Sequence, residues 1–146
     1  MLGLVLMLVG CGNDTGPWLA FDGGSFVFNY RIAEASYGFN VRPLRKMPEG
    51  TVLEAQFEDP AGGPPLIVRQ EVKGPALRYS FQTPALSGIK AGKPYHAAIR
   101  VLEAGTLKVL ASYERIFKSD VDQSWLPSKP LVVGPVYTPN PELKAN

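Results

Sequence analysis

Ile89-Lys90-Ala91-Gly92-Lys93-Pro94-Tyr95-His96-Ala97-Ala98-Ile99-Arg100-Val101 decides the fold. From Tyr95 onward the apolar residues fall on alternate positions: Tyr95, Ala97, Ile99 and Val101 lie on one face, His96, Ala98 and Arg100 on the other. A period of two is the mark of a half-buried strand, because successive side chains of a strand point to opposite faces. Gly92 before it supplies the turn. The strand therefore starts at a sharp corner and buries one face.

The same alternation recurs on both sides. Phe26, Phe28, Tyr30 and Ile32 alternate with Val27, Asn29 and Arg31, and Phe39 and Val41 form a run that Pro43 limits. Leu53, Ala55 and Phe57 alternate with Glu54, Gln56 and Glu58. Residues 59–65 are a loop of Pro and Gly; residues 66–72 are rich in β-branched side chains. Leu77, Tyr79 and Phe81 alternate next, and Leu107, Val109, Ala111 and Tyr113 lead a last strand towards Phe117. No stretch holds helical periodicity over three turns. Fifteen Gly and 14 Pro, scattered as punctuation, favour many short elements joined by turns. The expectation is an all-β, antiparallel sandwich of about seven strands.

The opening stretch adds a family likeness. An aliphatic residue six positions before a tyrosine, a Gly at the bend, and the tyrosine at the head of an alternating strand resemble the E–F corner of fibronectin type III-like, immunoglobulin-like sandwiches. That resemblance implies a tyrosine corner built from Ile89, Gly92 and Tyr95, the phenol bonding to backbone a few residues upstream. It covers about a third of the body. No tryptophan stands in the second strand, where many such domains carry one; Phe39 takes its place.

The N-terminus carries a different kind of signal. Residues 2–9 are almost unbroken apolar, too short for a bilayer span of about 20 residues but long enough for the core of a signal peptide. Only the amino terminus supplies positive charge before them. Leu8-Val9-Gly10-Cys11 follows and resembles the bacterial lipobox. The resemblance implies cleavage before Cys11, lipidation of its thiol and acylation of the new amino group. Several acyl chains hold a protein at a bilayer where one binds only marginally. The alternative for these residues is an apolar N-terminal strand with a buried free cysteine. Small, turn-prone residues 12–17 read as a tether. The expected organisation is thus a signal peptide over 1–10, lipidated Cys11 with a flexible tether over 11–24, a sandwich over 25–119, and a Pro-rich extended tail over 120–146. Gly12, and not Asp, after the cysteine favours the outer membrane over the inner, with the domain facing the periplasm of the cell envelope.

Chemistry is sparse. Formal charge is +2 with acids and bases interspersed, so no basic block is available for a phosphate backbone and no nucleic-acid partner is expected. One Cys and one His exclude an internal disulfide and a cysteine-rich zinc site. His96 sits opposite Tyr95, towards solvent, and no Gly-x-Ser-x-Gly elbow accompanies it. Asp120-Val121-Asp122-Gln123-Ser124 opens like a calcium loop but has Trp125 and Leu131 where Gly and Glu belong. Gly23-Gly24 and Gly62-Gly63 lack the Lys of a phosphate loop and read as turns. No cofactor and no metal are expected.

Two features suit binding. Arg42-Pro43-Leu44-Arg45-Lys46 is the densest basic patch, either a solvated loop or a contact for anionic headgroups near the anchor. Trp125 and Tyr137 stand in the Pro-rich tail, as interface anchors or as a cover for the end of the sandwich. The leading expectation is a non-catalytic, membrane-anchored protein-binding or scaffolding module, with the bilayer as one partner through acylated Cys11 and an envelope protein as the other. The alternative is a small-ligand or carbohydrate-binding sandwich whose pocket would combine Trp18, Tyr37 or Trp125. An enzyme would need a buried, perturbed acid or base in a cleft.

Overall fold

The computed structural model describes residues 15–144. Seven strands build the body: β1 Leu19–Asn29, β2 Glu34–Pro43, β3 Val52–Phe57, β4 Leu66–Glu71, β5 Tyr79–Gln82, β6 Pro94–Leu102 and β7 Val109–Lys118. They form two antiparallel sheets, one in the order β1-β2-β5 and one in the order β4-β3-β6-β7. The fold is an immunoglobulin-like β-sandwich. A two-stranded ribbon, β8 Val132–Val133 with β9 Thr138–Pro139, follows in the tail.

The alternating residues meet between the sheets. From the first come Ala35, Tyr37, Phe39, Val41 and Phe81; from the second Leu53, Ala55, Phe57, Tyr95, Ile99 and Val101, all buried. Phe39 stands at the centre of an aromatic cluster, with ring centroids 5.0 Å from Phe21, 5.2 Å from Phe57 and 5.7 Å from Phe81. Tyr37 stacks on Phe26 at 4.6 Å and meets Phe57 edge-on at 5.1 Å. Such offset and edge-on pairs add about 0.5–1.5 kcal/mol each beyond the area they bury.

β1 begins at Leu19, within the segment expected to be tether, and runs through Gly23-Gly24, which the sequence suggested was a turn. The pair is a bulge instead: the register with β2 shifts between Phe21↔Val41 and Gly24↔Phe39. One extra residue on β1 reverses the side-chain alternation. Because of it Phe21 before the bulge and Phe26 and Phe28 after it all pack on the core. Gly24 fills an inward position with no room for a side chain, since a Cβ there would lie 2.5 Å from Phe117 Cε1 and 2.7 Å from Gly38 O.

Three other boundaries differ. Tyr30 and Ile32 leave the strand and form the β1–β2 turn, where Ala33 has φ 55°. Leu107 lies in the β6–β7 turn at φ 57°. Leu77 precedes β5 in a loop and is 95% exposed. β5 pairs only from Tyr79↔Val41 to Gln82↔Gly38, and β2 ends at Pro43, whose missing N–H closes the ladder.

Candidate functional site

The register of the strands gives the sandwich two ends. Leu19↔Pro43, Val52↔Glu71 and Val52↔Leu102 mark one; Asn29↔Glu34, Phe57↔Leu66 and Pro94↔Lys118 mark the other. About ten residues of strand separate them, roughly 33 Å.

The first end receives the chain from residues 15–18, and the basic patch holds that entry in place. Leu44 N–H donates to Trp18 O at 2.8 Å, and Arg45 Nη1 donates to Gly16 O at 3.3 Å. The Arg45 guanidinium lies 4.0 Å from the Trp18 ring centroid, a cation–π contact. The Trp18 N–H donates to the Tyr113 hydroxyl at 2.8 Å, tying the entry to β7 as well. Arg45, expected among partner-binding residues, thus secures the segment that leads into β1. Arg42 and Lys46 point outward.

The opposite end carries the tyrosine corner. Lys90 N–H donates to the Tyr95 hydroxyl at 2.9 Å, Ile89 is fully buried, and Gly92 takes φ 72°. The tail starts from this corner: Gly92 N–H donates to Ser119 O, Gln123 N–H to Ile89 O, and Ala91 N–H to Asp122 Oδ1 at 2.7 Å. Asp122, considered as a calcium ligand, fixes the corner instead. The tail then folds back. Val132 N–H donates to Arg31 O, and Asn140 closes the ribbon through its N–H to Leu131 O and its amide to Pro130 O.

The tail's large side chains divide. Leu126 packs against the core and Val132 is buried, whereas Trp125 is 65% exposed. Val136 and Tyr137 occupy the turn between β8 and β9, at 72% and 67% exposure, flanked by exposed Leu131 and Val133. The Arg31 guanidinium lies 4.6 Å from the Tyr137 ring centroid. The sequence did not distinguish Leu126, which covers the sandwich, from Trp125, which faces outward.

Trp18, Tyr37 and Trp125 do not converge on a pocket. Trp18 is at the first end under Arg45, Trp125 is at the other, and Tyr37 is wholly buried. The Tyr37 hydroxyl donates to Glu58 O at 2.7 Å. Burial, followed by the carboxylates of Glu58 and Asp59 and then Tyr95, raises its pKa well above the ordinary value.

His96 faces out beside Glu58, Asp59 and Glu114 in a cleft of about 230 Å³. Two of these carboxylates serve the backbone: Glu58 accepts from His96 N–H at 2.8 Å and Asp59 accepts from Ala61 N–H at 2.9 Å. Among the described residues no group of three or more His, Cys, Asp or Glu is placed to hold a metal ion.

Among the described residues the one buried carboxylate is Glu54, on the outer face of the four-stranded sheet. Its side chain is 2% exposed. Arg69 of β4 and Arg100 of β6 flank it at the same register level. Arg69 Nη2 lies 2.6 Å from Oε2, Arg100 Nε donates to Oε1 at 2.9 Å, and Gln56 Nε2 donates to the same oxygen at 2.8 Å. Burial alone would raise the Glu54 pKa, but the donors from Gln56, Arg100 and Arg69 outweigh it and hold the carboxyl below its ordinary range. The arginine stems cover it while their heads reach water. The pairing of β3 with β4 puts Glu54 and Arg69 side by side, and Arg100 arrives from a strand 46 residues away.

Cys11 and the lipobox-like stretch Leu8-Val9-Gly10-Cys11 lie outside the described residues. Comparison with protein-family models, with curated proteins and with solved structures finds no match to this chain.

Proposed function

We propose that the chain is a lipid-anchored, non-catalytic binding module of the bacterial envelope, with a fibronectin type III-like sandwich as its spacer. Acylated Cys11 holds one end at the membrane, and the Pro-rich tail at the other engages an envelope protein. The role is positional. One observation carries it: Trp125, Val136 and Tyr137 stand exposed at the end of the sandwich opposite the root of the tether. Large aromatics on a rigid support are common anchors of protein interfaces, and the ribbon that bears Tyr137 is fastened by Asn140 and Arg31. The lipobox-like Leu8-Val9-Gly10-Cys11 supports the membrane half of the proposal.

A photo-crosslinking residue placed at 125, 137 or 108 in living cells tests it. Position 108, in the exposed turn before β7, is the control. The proposal requires one discrete adduct from 125 and 137, none from 108, and loss of that adduct in a Cys11→Ser background. Equal labelling from all three positions, or an adduct indifferent to Cys11, contradicts it.

A further inference from the structure

We infer that the tether end of the sandwich is itself a docking surface for an anionic phospholipid bilayer. Leu77 would sit among the headgroups, with Arg42, Lys46 and Lys73 against their phosphates. The inference rests on the lipid-anchor reading for its geometry. Cys11 precedes Thr15 by four residues, so the chain allows at most about 14 Å between the two Cα atoms. Residues 16–18 are pinned to residues 44 and 45, which fixes the end of the sandwich that faces the membrane.

That end is built for such a surface. The loop Lys73-Gly74-Pro75-Ala76-Leu77-Arg78 projects a leucine that is 95% exposed, with a second exposed leucine at Leu44. Between them opens a mainly apolar groove of about 630 Å³, lined by Met47, Pro48, Val72, Pro75, Ala76 and Tyr79. Residues 42–49 and 72–79 contain Arg42, Arg45, Lys46, Lys73 and Arg78 against one acid, Glu49. Arg78 is neutralised by Asp22 at 2.5 Å, and Arg45 is engaged with the tether root. Arg42, Lys46 and Lys73 make no ion pair among the described residues. Glu71 and Glu103 do not line the groove. The opposite end has no such excess: Glu34, Glu58, Asp59, Asp120, Asp122 and Glu142 offset Arg31, Lys90, Lys93, Lys118 and Lys129.

Apolar side chains ringed by basic ones suit the boundary between headgroups and acyl chains. Each basic residue near an anionic surface strengthens binding about fivefold. The tether raises the local concentration of the surface, so a weak contact is enough. Docking would hold the sandwich upright and aim the tail away from the membrane.

The test uses the full chain purified from membranes, with its intact mass read first. An environment-sensitive fluorophore is placed at Leu77→Cys or, as control, at Val136→Cys, and the protein is reconstituted into nanodiscs of phosphatidylglycerol or of phosphatidylcholine alone. The inference predicts a blue shift at position 77 in the anionic discs only, none at 136, and a loss of at least about tenfold in anionic-lipid preference with Lys46→Glu and Lys73→Glu combined. An acylated protein whose label at 77 stays aqueous on anionic discs overturns the docking and leaves the anchor intact. An equal shift on both lipids overturns the role of the basic residues. If the mass shows no acylation, the anchor fails. The label at 77 with added anionic vesicles then decides the docking alone: a shift supports it and none overturns it.

Discussion

Replacing Glu54 by alanine removes the acceptor that Arg69, Arg100 and Gln56 share. Two guanidinium groups would then face each other across β3. The cost is about 2 kcal/mol, typical of hydrogen bonds to a charged group, and less than for a wholly buried pair because the arginine heads are partly solvated. The midpoint of urea unfolding measures it. The pH dependence has a definite sign. The folded-state pKa of Glu54 is depressed, so its contribution is complete above the ordinary value of 4.5 and is lost as pH falls through the lower folded value. Glu54→Gln flattens that part of the acid unfolding profile. Tyr37 behaves oppositely. Its raised pKa means its contribution is complete below the ordinary value of 10.0 and is lost as pH rises above it. Tyr37→Phe removes the bond to Glu58 O, costs about 1 kcal/mol, and weakens the alkaline loss, followed by circular dichroism between pH 9 and 12. Alternation showed that Glu54 faced away from the core. It did not show burial there, which needs the arginine of a third strand to close over it.

At the scale of elements, the bulge at Gly23-Gly24 keeps both halves of β1 packed on the core. Gly24→Ala forces a Cβ against Phe117 and the carbonyl of Gly38, and lowers stability by about 1–3 kcal/mol through overpacking. Gly16→Ala meets open space and changes it little, within about 0.5 kcal/mol. Thermal unfolding of the two variants side by side checks the contrast. The seven body strands were legible because each has a buried face and a wet one. The bulge was not, since a Gly-Gly pair serves a turn or a bulge equally well, and only the partner strand distinguishes them. This moved the start of the sandwich from 25 to 19. Leu77 shows the converse. It keeps the alternation of Tyr79 and Phe81, but β2 has ended at Pro43 and offers it no partner. The corner at Ile89, Gly92 and Tyr95 was readable because its residues are local in sequence.

For the whole molecule, the proposed function divides labour between the two ends of the sandwich. Trp125→Ala should abolish the adduct formed from position 137, and Tyr137→Ala that formed from position 125, each shifting stability by no more than about 0.5 kcal/mol, since both side chains are mostly in water. Val132→Asp, by contrast, buries a charge under the ribbon and should loosen the tail; limited proteolysis after residue 126 reads that. Little of this division was legible beforehand, because it depends on where the chain enters and leaves the sandwich. The proposed function stands first on Cys11 as a membrane anchor. Intact mass spectrometry of the mature protein from membranes, wild type beside Cys11→Ser, tests it most directly. The expected result is a chain beginning at Cys11 with diacylglyceryl and acyl groups, both lost together with membrane association in the variant. An unmodified chain beginning at Met1 in the soluble fraction would contradict it.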